Sequence, residues 1–173
     1  MTPEEWLAAG LKFAAALPVL RWPLAGAVIA ILADNLDVVV MNYVDLGGGG
    51  IRNYHAFDKW TDLFALATYF IVTLRWEGRD RAVAMALFAL RLFGVALFEV
   101  TGWRGALILL PNLFETWFLY VCMRSAWLPD GAATARRALL AGLVACKVVQ
   151  EIALHGVQVM DRYNLKDVLD RIL

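Results

Sequence analysis

A chain of 173 residues has room for one domain. Its apolar fraction of 61% and mean hydropathy of +0.62 stand well above the roughly 45–50% apolar content of soluble domains, which excludes an ordinary water-soluble globule. The formal charge is zero, which excludes the basic face of a nucleic-acid binder, so no nucleic-acid partner is expected.

The fold class this implies is an all-α, polytopic transmembrane helix bundle: a single integral membrane domain over 1–173, with no internal repeat and no dividing linker. Thr2-Pro3-Glu4-Glu5 opens the first helix with a cap residue, a first-turn proline and acids at the positive end of the dipole. This helix covers 4–20. It is short and carries Lys12, so it is expected to lie amphipathically at the interface. The acidic start lacks the basic region of a secretory signal, and no cleavage is expected.

Five later segments approach the roughly 17–25 apolar residues that a spanning helix needs. They are Trp22–Val44, Phe57–Arg75, Arg81–Val100, Gly105–Met123 and Thr134–Val159. Gly and Pro mark the connections at 45–56, 76–80, 101–104 and 124–133 as turns. Pro111-Asn112 inside the fourth segment predicts a kink. Cys122 and Cys146 read as small buried hydrophobes. The tail from Asp161 is a candidate amphipathic helix. Trp6, Trp22, Trp60, Trp76, Trp103 and Trp127 lie near segment ends, as an interfacial belt requires. Arg21, Arg75, Arg79, Arg81, Arg124, Arg136 and Arg137 fall in alternate connections. Arg52, Lys59 and Arg104 fall in the others, so the first side is expected to be cytoplasmic.

Ionisable and amide residues interrupt every segment. The first holds Asp34 and Asp37, and the second opens with Asp58 and Asp62. The third holds Arg91 and Glu99, the fourth Asn112 and Glu115, and the fifth Lys147, Gln150, Glu151 and His155. Spacings of three and four residues gather each set into one helical stripe. With alternating topology all the stripes fall in the outer half of the membrane. A charge near the centre of a spanning helix costs roughly 2.5–3.5 kcal/mol, so these groups are expected to face inward and line a polar chamber.

Three readings of such a chamber stand side by side. In the first, the acids, Arg91 and Lys147 form a structural network that fixes helix packing. In the second, Asp34, Asp37, Asp58 and Asp62 bind a divalent cation, Mg²⁺ or Mn²⁺, with Glu151 and His155 able to add ligands. Asp62, Glu151, Lys147 and Arg91 then carry the chemistry, and the two cations hold substrate phosphate or carboxylate. Glu99, Asn112, Glu115, Gln150 and His155 line the chamber. In the third, the same residues form a proton or cation pathway of a transporter or channel. A non-catalytic membrane subunit is the remaining alternative. The metal enzyme, acting on a phosphate-bearing or lipid substrate, is the leading expectation. Membrane lipids are its expected partners.

Asp34-x-x-Asp37 followed by Asp58-x-x-x-Asp62 resembles the metal-binding signature of the CDP-alcohol phosphatidyltransferases, over about thirty residues. The resemblance implies two metal ions on the four aspartates and a CDP-linked lipid donor. Val38, Met41-Asn42 and Tyr54 stand where that family has Gly, Ala-Arg and Gly. A longer pattern covers most of the chain. It comprises Tyr54-x-x-x-Asp58-Lys59-x-x-Asp62, Arg91-x-x-Gly94, Pro111-Asn112-x-x-Glu115 and Lys147-x-x-Gln150-Glu151. This pattern resembles small bacterial multi-pass membrane proteins without an assigned activity, and it implies a multi-pass location in a bacterial inner membrane.

Overall fold

The computed structural model describes the backbone of residues 3–43, 54–102, 110 and 112–152. Within these, the side chains of 3–5, 8, 35–43, 54–60, 62 and 151 lie outside the description. All regular structure among the described residues is helical. In chain order the helices are α1 (Pro3–Ala16), a 3-10 turn (Leu17–Leu20), α2 (Pro23–Tyr43), α3 (Tyr54–Thr73), α4 (Gly78–Thr101), α5 (Leu113–Trp127) and α6 (Ala133–Glu151). The chain divides into two compact units, Met1–Val72 with Asn164–Leu173, and Thr73–Tyr163.

In the first unit α1 and α2 form a tight antiparallel hairpin. Proline stands near the start of the 3-10 turn, and the Pro18 carbonyl accepts hydrogen bonds from the Arg21 and Trp22 amides at 3.1 and 2.8 Å. Pro23 then opens α2 with its fixed φ. The two helices meet through small side chains at three- and four-residue spacing. Ala9, Ala15, Ala16 and Val19 are buried on one side, and Ala27, Ala30 and Ala33 on the other. Small residues let helix backbones approach closely, a pattern typical of helices packed in lipid. At Gly26 the approach is closest, because a Cβ there would collide with the backbone of Pro18 and Val19. From α3 the Tyr69 hydroxyl donates to the Ala27 carbonyl at 3.4 Å, and Phe64 packs on Phe13 with ring centroids 4.5 Å apart.

The second unit is built differently. α4 and α5 run antiparallel and meet through large rings. Phe88 packs edge-on against Phe114 at 5.1 Å, and Trp76 stacks on Phe118 at 5.4 Å. Gly94 lies against the Leu110 side chain. Gly102, at φ +66°, ends α4 in the left-handed conformation that glycine adopts without strain, and its amide donates to the Phe98 carbonyl at 2.8 Å. α6 packs on α5.

The structure refines one sequence expectation and corrects two. The backbone at Leu110 and Asn112 is not helical, and 103–109 and Pro111 lie outside the description. Asn112 caps the start of α5, its side chain accepting from the Glu115 amide at 3.5 Å, because asparagine satisfies an otherwise orphaned helix donor. Cys146 is exposed rather than buried, on a stretch of α6 where Val148 and Val149 are exposed too. Lys12 does not face an aqueous interface. It is buried against α2, and the outward residues of α1 are Trp6, Leu7, Leu11 and Phe13.

Among the described residues, α4 is the helix long and apolar enough to cross a membrane, and only 11% of its most apolar window is buried. Phe93, Leu90, Leu92 and Val100 all stand exposed on it. Shorter apolar stretches lie at Ala9–Leu20, Pro23–Asp34 and Leu63–Thr73. A core helix of a water-soluble protein buries such side chains, and large exposed apolar surfaces mark protein or membrane contacts.

Candidate functional site

In the second unit, the start of α5 and the end of α6 bring four of the expected site residues together. The Asn112 cap places Glu115 in the first turn of α5, where the helix dipole favours a carboxylate. One carboxylate oxygen, Oε2, accepts from Asn112 Nδ2 at 3.4 Å and lies 3.5 Å from the ammonium of Lys147 on α6. Lys147 donates in turn to Gln150 Oε1 at 3.2 Å, one turn further along its own helix. The Asn112 and Lys147 side chains are largely enclosed, and Glu115 is about one-fifth exposed at 21%. Glu115 and Lys147 therefore neutralise one another, with two amide side chains holding the pair in place.

Arg91 stands on α4, between Phe88, which meets Phe114, and Gly94, which meets Leu110. These three positions share one helix face by their three-residue spacing. That register places Arg91 at the level of Asn112 and the start of α5. Its Nε and Nη1 are shielded from solvent and have no hydrogen-bond partner among the described residues. A buried donor without an acceptor costs about 1–3 kcal/mol, more when charged, and such groups call for an explanation. A guanidinium edge, Nε with Nη2 or Nη1 with Nη2, matches the two oxygens of a carboxylate or phosphate.

The remaining expected residues are placed as follows. Glu99 is exposed near the end of α4, shortly before the Gly102 cap. Asp34 belongs to the first unit. Its carboxylate is half exposed, at 52%, and pairs with Lys12 at 2.8 Å, whose own side chain is only 5% exposed. The side chains of Asp37, Asp58, Asp62 and Glu151, and all of His155, lie outside the described residues. The described His, Cys, Asp and Glu residues gather no group of three suited to a metal ion. Asp34, the member of the aspartate quartet whose side chain is described, holds the Lys12 ammonium.

Two polar contacts were not singled out by the sequence. Lys12 is a third cation beside the acids of the apolar segments, and only the topology of the hairpin brings it to Asp34. Asp80, in the first turn of α4, pairs with both terminal nitrogens of Arg124 near the end of α5, at 3.2 and 2.5 Å. The Trp117 indole donates to the Asp80 carbonyl at 3.1 Å, and the Arg124 guanidinium lies over the Tyr120 ring at 5.6 Å. The Asp80 hydrogen bond is the largest influence holding the Arg124 pKa above its ordinary value, and burial acts against it. Sequence distance hides this pair, which is forty-four residues apart in the chain. No protein-family model, curated protein or solved structure matches this chain.

Proposed function

We propose that the protein is an integral membrane enzyme acting on a phosphate-bearing or lipid substrate. In this reading the chain forms a multi-pass bundle of five spans behind the N-terminal helix, in a bacterial inner membrane. The observation that carries the reading is Arg91. An apolar, largely unburied helix holds a guanidinium with two solvent-shielded donors lacking an acceptor. Arg91 anchors an anionic group of the substrate. Lys147 shares the task once Glu115 yields part of its hold on the ammonium, which the 3.5 Å separation permits.

Asp34, Asp37, Asp58 and Asp62 would hold Mg²⁺ or Mn²⁺, which supplies Lewis-acid activation of a phosphate. Their spacing in the sequence supports this assignment. The Lys12 ammonium beside Asp34 has to share that carboxylate. Asp62 and Glu151 are the carboxylates assigned to proton transfer.

Manganese titration and elemental analysis of the purified protein test the assignment, comparing the wild type with Asp37→Asn and Asp62→Asn. Stoichiometric binding lost in both variants is the expected result. A folded wild type that binds no divalent ion overturns the metal assignment, and proton-coupled flux in liposomes then becomes the measurement to make.

A further inference from the structure

The first helix carries its polarity inside out. Between Trp6 and Leu20 the only charged residue is Lys12, and it is buried among Ala9, Ala15 and Ala16 on the side facing α2. The opposite side presents Trp6, Leu7, Leu11, Phe13 and Leu17 to the surroundings without a charge. An amphipathic helix lying at a membrane surface has the reverse arrangement, with cations in water and large apolar groups beneath. The outward face also continues past the turn, where Val28, Ile29 and Leu32 of α2 are exposed.

Length and charge position agree with this polarity. The 14 residues of α1 and the 4 of the 3-10 turn rise together about 29 Å, close to the ~30 Å hydrocarbon core of a bilayer. Arg21 and Trp22 stand exposed at the end of the element, where cationic and aromatic side chains anchor in headgroups. The Lys12–Asp34 pair lies roughly 15–18 Å from that turn, near the middle of such a core. An ammonium at that depth needs a counter-charge on a neighbouring helix, and Asp34 supplies it at 2.8 Å.

We propose that α1 and its 3-10 turn cross the membrane as an additional span, paired with α2, with Trp6, Leu7, Leu11 and Leu17 against lipid acyl chains. The N-terminus and the Arg21–Trp22 turn then lie on opposite faces of the membrane. This adds a span to the five of the proposed bundle, and it stands whether or not the chain is an enzyme.

Single cysteines test it. Thr2→Cys and Arg21→Cys are treated with a membrane-impermeant maleimide in right-side-out and in inside-out vesicles. The labelled peptides are identified by mass spectrometry, so Cys122 and Cys146 stay in place. The expected result is labelling of each position in opposite vesicle types. Labelling of both in the same vesicle type places the helix at one surface and overturns the proposal. Leu11→Cys, on the outward face, gives a second reading. It is expected to remain unlabelled in both vesicle types, and labelling matching that of Arg21→Cys puts that face in water and overturns the proposal equally.

Discussion

The two units hold their helices together by opposite means. In the first, backbones approach over a seam of Ala9, Ala15, Ala16, Ala27, Ala30, Ala33 and Gly26, and one buried ammonium meets one carboxylate within the seam. In the second, rings and forks do the work, namely Phe88 on Phe114, Trp76 on Phe118 and Asp80 on Arg124. A small-residue seam gains its stability from close packing of many atoms and tolerates no added volume. A ring-and-fork interface gains it from a few large contacts. It tolerates local change but depends on each polar partner. The Arg91 level of the second unit belongs to neither pattern, because two guanidinium donors are shielded there without a hydrogen-bond partner among the described residues.

The seam breaks most easily at Gly26. Overpacking a tight contact costs about 1–3 kcal/mol, and here the obstacle is backbone, which cannot swing aside, so Gly26→Ala is expected to lose about 3 kcal/mol. Thermal denaturation in detergent measures it. Gly10→Ala, on the same hairpin, is the control. Nothing lies within 4 Å of a Cβ at that position, and the change is expected to stabilise by about 0.5–1 kcal/mol through helix propensity. Equal effects of the two substitutions would show that the hairpin is not closed at Gly26.

The fork breaks at Asp80. Removing one partner of a fully buried ion pair costs about 3–5 kcal/mol. Here the two side chains are 21% and 28% exposed, so solvent screening reduces the expected loss for Asp80→Ala to about 2 kcal/mol. Asp80→Asn keeps one acceptor and is expected to lose about half as much. A melting temperature unchanged in both variants would show that the pair adds nothing beyond the ring contacts beside it.

These differences also explain what the sequence disclosed. The helices were legible, since proline starts α1 and α2, glycine ends α4, and apolar stretches fill the intervals, although among the described residues α4 alone has the length and apolarity of a span. Candidate polar residues were legible too, because an ionisable group in an apolar segment stands out whatever its partner. The pairing of these residues was not legible. Lys12 looked like a surface residue because a short helix with one cation fits an interface. Only the turn at Arg21–Trp22, which folds α1 back on α2, reveals that its partner is Asp34. The role of Asn112 as a cap was not legible either, because it depends on where α5 starts. Arg124 counted as a loop cation until α4 and α5 were seen to run antiparallel and bring Asp80 beside it.

Arg91 separates stability from function. If its guanidinium exists to hold an anion, its two shielded donors without acceptors among the described residues cost about 1–3 kcal/mol each before relaxation. Arg91→Met keeps most of the stem volume, fits the apolar setting of α4 and deletes the cost. The variant is therefore expected to be more stable than the wild type by about 1 kcal/mol, while losing affinity for inorganic phosphate and for phosphate-bearing lipids. A structural arginine behaves the other way, its removal lowering the melting temperature and leaving anion binding as it was. Calorimetric titration of wild type and Arg91→Met with phosphate, read beside their melting temperatures, distinguishes the two. Opposite movement of stability and binding is what natural proteins show where a strained group is retained for its ligand.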